Sequence, residues 1–210
     1  MNAESKMTRA QQPEADRAAS IVRQIDDLEQ NTQMLWGPMG ERLMAEIGQA
    51  IRSSASNEWL VMGDNDALSL TCPNWKPNGG LGRGDAWLEL SEIAEDEEDH
   101  SWVADAIGIG RSGMGLQLTF RNGLAHTAAI VMADKATAAR LLKLGIAQDE
   151  ARERLFIPIV IDREVLATAF AENDFEAALA PVRAALELAS AAKGELDKLV
   201  EQVRAKSKAH

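Results

Sequence analysis

The sequence predicts an α+β fold: an antiparallel sheet of about five to six strands flanked by N-terminal and C-terminal helices. Three observations carry this reading. Apolar residues recur at spacings of three and four near both ends of the chain. Short alternating or wholly apolar runs, separated by turn residues, fill the middle. Cap residues and glycines mark where one period gives way to the other. Helices set against one face of a sheet are the usual packing for this order of elements.

Residues 1–14 are polar and irregular and are expected to form a disordered tail. From Glu14 onward Ile21, Ile25, Leu28, Thr32 and Leu35 line one face of a helix. Gly37-Pro38 punctuates the pattern, with proline suited to the first position of a second helix. That helix carries Leu43, Met44, Ile47, Ala50 and Ile51 as its stripe. Trp59–Met62 and Leu68–Cys72, separated by Asp64-Asn65-Asp66, read as a hairpin. Residues 73–84 form a loop rich in glycine and proline. Strands are expected at 85–93, 101–109 and 115–121. Asn122-Gly123 is the dipeptide that permits positive φ in a tight hairpin turn, which predicts a return strand at 126–132.

Asp134 is placed to cap a helix from Lys135 to Leu144, closed by Gly145. Leu155–Ile161 is rich in β-formers, and Pro158 puts the strand at an edge or a bulge because it cannot donate to a ladder. Asp162 caps the next helix, anchored by Val165, Leu166 and Phe170. Leu179, Val182, Leu186, Ala189, Lys193, Leu196, Val200 and Val203 form a heptad seam. Pro181 marks a restart or kink, and Lys193-Gly194 interrupts the seam. The organisation expected is an α+β domain over 15–172 and a helical extension over 173–210 that packs on the domain or on a partner.

The 210 residues carry a net charge of −11 and a pI near 4.8, which disfavours general binding to nucleic acid. The single cysteine, Cys72, excludes an internal disulfide. No apolar run reaches the length of a membrane helix, and Met1–Asp16 has no apolar core of a leader. These features predict a cytoplasmic protein without a membrane span.

Few residues carry a chemical signature. Gly108-Ile109-Gly110-Arg111-Ser112-Gly113 matches a nucleotide-loop pattern, but a strand rather than a helix is expected after it, so it reads as a flexible β-turn. Asp85 and Glu89 are candidate metal carboxylates of a nuclease-like site, although the lysine of the E-x-K pattern is replaced by Ser91. The acidic run from Glu95 to Asp99 lacks the spaced ligands of a calcium loop and reads as solvated charge, or as a contact for a basic partner. His100, His126 and His210 form no metal-ligand spacing with Cys72. No metal or cofactor is expected.

All five tryptophans lie in the first half of the chain. Trp59, Trp87 and Trp102 are assigned to strands and the core. Trp75, with Lys76 and Arg83 in the same loop and Arg111 nearby in the glycine turn, is either a binding anchor or a lid folded onto the sheet. The function expected is a non-enzymatic interaction or regulatory protein, with a protein partner or self-association through helices. A divergent metal-dependent nuclease and a small-ligand-binding domain are the alternatives.

Overall fold

The structure, a computed structural model, describes residues 12–64, 67–76, 82–93, 99–109, 112–149 and 154–208. The N-terminal helical pattern forms α1 (Gln12–Arg23) and α2 (Ile25–Met34), divided at Gln24 where φ and ψ leave the helical region. Gly37-Pro38 does not end the helix. A π-helical turn over Leu35–Met39 contains Pro38 and leads directly into α3 (Gly40–Ser54). The wider turn accommodates a residue that breaks an ordinary i→i−4 ladder. The apolar stripe of α3 is buried as expected.

The hairpin forms from β1 (Leu60–Met62) and β2 (Ser69–Thr71), followed by β3 (Ala86–Glu92) and β4 (Met114–Phe120). Two expected strands are helices. Residues 101–109 hold α4 (Trp102–Ile107), with Ser101 Oγ accepting from the Ala104 N–H and Gly108 at φ 67° beyond its end. A capping serine and a left-handed glycine bracket the segment, and these local signals outweigh its β-like composition. Asn122-Gly123 likewise opens α5 (Asn122–Met132) and makes no hairpin. Leu124, Ala128, Val131 and Met132 are buried at helical spacing, so burial follows the 3.6-residue period. The place beside β4 is taken by β6 (Arg154–Ile159), and the short β5 (Ala147–Asp149) closes that edge. All pairings are antiparallel, in the order β1-β2-β3-β4-β6-β5.

Pro158 pairs with Gly115, beyond the last residue that β5 covers on the other side of β6. The missing N–H therefore falls where the ladder is one-sided, as at an edge. The expected caps are in place: Asp134 accepts from the Thr137 N–H at the start of α6 (Lys135–Lys143), and Asp162 accepts from Glu164 and Val165 at the start of α7 (Arg163–Glu172).

The C-terminal seam forms one unbroken helix, α8 (Ala180–Ser207), with Pro181 in its first turn and Gly194 inside it. Val182, Leu186, Ala189, Leu196, Val200 and Val203 are buried within the domain, where α8 packs against α3, α5, α6 and β6. One sheet face, with Leu88, Leu90, Leu116, Leu118, Leu155 and Ile157, enters this core. The other carries half-buried Trp87, Glu89, Gln117, Thr119 and Arg154. Trp87 is thus on the open face and Trp102 is on a helix. Among the described residues, no helix is long and apolar enough to cross a membrane.

Candidate functional site

The tryptophan loop closes onto the core. Pro73–Trp75 forms a single 3₁₀ turn that drives the Trp75 side chain inward, leaving it 1% exposed. Its indole N–H donates to Asp197 Oδ1 at 2.7 Å, and its ring meets Trp59 edge-on at 5.4 Å. Gly84, at φ 87°, lets the returning chain pass so close to Trp75 that a β-carbon would stand 2.5 Å from the Trp75 carbonyl oxygen. Trp75 is therefore a lid with no ring surface left for a partner.

The other loop residues point elsewhere. Lys76 Nζ lies 3.9 Å from Met62 Sδ. Arg83 sits over the Trp87 ring at 5.4 Å and donates to Glu89 at 2.9 Å. Trp75 is buried while Lys76 and Arg83 stay half-buried, and Arg111 lies outside the described residues together with Gly110 and the acids at 95–98.

Asp85 and Glu89 are each engaged by arginine. Asp85 is almost wholly buried, and its two oxygens accept separately from Arg121 Nε and from Arg204 Nε, the latter at 2.8 Å. Burial pushes the Asp85 carboxyl up, but the two guanidinium groups outweigh it and hold the group below the usual carboxylate range. Glu89 accepts from Arg83 and, at 3.2 Å, from the Trp87 indole. Both acids are neutralised by fixed cations. No cluster of three metal-ligating side chains occurs among the described residues.

A different group of residues encloses a cavity of about 360 Å³. Trp36 comes from the π-helical turn, Gly40, Glu41 and Met44 from α3, and Glu92 from the end of β3. Asp99, His100 and Ser101 come from the segment before α4, and Trp102 and Asp105 from α4 itself. Among the described residues the lining thus holds two indoles, four acids and one histidine, and no lysine or arginine. Trp36 is 53% exposed at this site.

Asp105, by contrast, is only 1% exposed. Burial raises its pKa; Ser112 and His100 lower it by less. Asp105 Oδ1 and Ser112 Oγ are both buried, and neither makes a hydrogen bond of ordinary geometry among the described residues. An unsatisfied buried carboxyl oxygen is costly in a folded chain and marks a place where a donor would be favoured.

The sequence did contain a signal for this group. Ser101 as cap and Gly108 as stop define a helix on which Trp102 and Asp105 stand three residues apart, on neighbouring positions of one face. Its approach to Trp36 depends on the tertiary packing of α4 against α3 and the π-helical turn, which no local pattern encodes. No family model matches the chain, and no curated protein and no solved structure matches it either.

Proposed function

We propose that this chain is a non-enzymatic interaction protein that receives an arginine or lysine side chain of a basic protein partner between Trp36 and Trp102. The observation that carries the proposal is the lining itself, which among the described residues brings two indoles and four acids together. A cation held against an indole gains about 0.5–2 kcal/mol, more as it is desolvated. The Asp105 oxygen that lacks a donor would gain one. The net charge of −11 attracts basic partners over a longer range and raises their rate of encounter.

Titration of the tryptophan fluorescence with hexa-arginine and hexa-lysine peptides tests this reading, with a hexa-glutamine peptide as control. Saturable binding of the basic peptides is expected, weakened about fivefold or more by Trp36→Ala, as for loss of a cation–π contact. Trp36 is exposed, so the variant folds as the parent does. An affinity that Trp36→Ala leaves unchanged would remove the pocket from the proposal.

A further inference from the structure

On a chain this acidic, one cavity is lined mainly by cations. It measures about 320 Å³ and is bounded by Asp85, Arg121, Leu124, Arg204, Ser207 and Lys208. It lies where the end of α8 meets the start of α5 and the residue before β3. Three cations stand against one carboxylate there, and each oxygen of that carboxylate already accepts from one Nε. We infer that this cavity is a binding site for a phosphate group.

Four features support it. First, Asp85 engages both guanidinium groups through Nε alone, so its carboxylate does not occupy their Nη groups. Arg204 Nη1 donates to the Asn74 carbonyl oxygen at 2.8 Å, whereas Arg204 Nη2 is buried with no hydrogen-bond partner. A buried charged donor without an acceptor is costly, and a turn of the Arg204 side chain towards a phosphate oxygen would relieve that cost. Second, the Nη atoms of Arg121 donate to no described atom. Its Nη1 sits over Gly123, so close that a β-carbon there would stand 3.1 Å away. Third, no side chain caps the first turn of α5, and the N–H groups of an uncapped helix start favour an anion. Fourth, Ser207 and Lys208 add a hydroxyl and an ammonium from the end of α8.

Donors thus come from several directions. That suits a tetrahedral phosphate, with more acceptor oxygens than the planar carboxylate has. The site is separate from the Trp36–Trp102 pocket and does not depend on its role.

Calorimetric titration of the full chain with inorganic phosphate, at ionic strength held constant with chloride, tests the inference. Saturable binding at one site is expected, weakened about tenfold or more in Arg121→Gln and in Lys208→Gln, as for the loss of a charge-assisted contact. The Gly123 amide resonance should shift as phosphate is added. Among the described residues the Lys208 side chain makes no hydrogen bond or ion pair, so Lys208→Gln reads binding even if Arg121→Gln loosens the Asp85 contact. Absence of saturation overturns the site, and so does a phosphate affinity in both variants equal to that of the parent. Equally tight binding of acetate overturns the assignment to phosphate.

Discussion

Asp85 and Asp105 are both buried carboxyls, and their partners give them opposite behaviour. Asp85 is held ionised by Arg121 and Arg204, so its folded pKa lies below the unfolded value. Its stabilising contribution is present above the unfolded pKa of about 3.9 and is lost as pH falls through the lower folded value. Replacing Asp85 with alanine leaves two guanidinium groups without their counter-ion. Because both arginines are partly exposed, a loss of about 2–3 kcal/mol is expected in urea unfolding at pH 7, below the range for fully buried pairs. Asp105 lacks such a partner, and its folded pKa is raised. Stability therefore falls as pH rises from the unfolded value through the folded one, then stays level. Asp105→Asn is expected to stabilise the protein by on the order of 1 kcal/mol at pH 7.5, with a smaller gain near pH 3.5. Thermal melts at the two pH values measure this, and an equal shift at both would show that ionisation of Asp105 has no part in it.

At the scale of elements, local chemistry was legible where an acidic cap stood before a long apolar-periodic run. Asp134 and Asp162 begin helices as expected, because a carboxylate before an apolar-periodic run satisfies free N–H groups whatever lies around it. The same logic applied to Ser101, yet the run Trp102–Ile107 is too short for a period to show and its composition suits a strand. Replacing Ser101 with alanine is expected to cost about 1 kcal/mol and to loosen the Trp102 side of the pocket; unfolding curves and tryptophan fluorescence report the two effects. Asn122-Gly123 misled for another reason. The dipeptide permits a hairpin but does not impose one, and the buried spacing of Leu124, Ala128 and Val131 decides for a helix. Gly194 shows the converse, a breaker overruled by packing on both sides of it. Nothing lies within 4 Å of where its β-carbon would be. Gly194→Ala should accordingly stabilise α8 by about 0.5–1 kcal/mol, and a lower urea midpoint would mean that the helix needs the glycine's freedom there.

For the whole molecule, the two heptad seams have opposite fates that periodicity alone did not separate. A repeat of apolar residues states that a face will be covered and is silent on what covers it. The seam of α8 is covered by the protein's own helices and sheet, while Ile21, Ile25 and Leu28 on α1 and α2 remain 40–45% exposed. The apolar stripe left exposed is therefore that of the N-terminal pair and not the seam of α8. Deleting residues 1–34 removes no buried residue among those described, so the melting temperature of the remainder should stay within about 2 °C of the parent. A fall in mass by light scattering beyond that of the 34 residues removed would then report association directly. Deleting residues 190–210 has a different expected result. It removes buried Leu196, Leu199, Val200 and Val203, the Asp197 acceptor of Trp75 and the Arg204 partner of Asp85. Four aliphatic side chains at about 1.5–3 kcal/mol each already match the 5–15 kcal/mol by which a domain is stable. The truncated chain should lose cooperative unfolding altogether. A cooperative melt within a few degrees of the parent would show that α8 is an appendage and that the core closes without it.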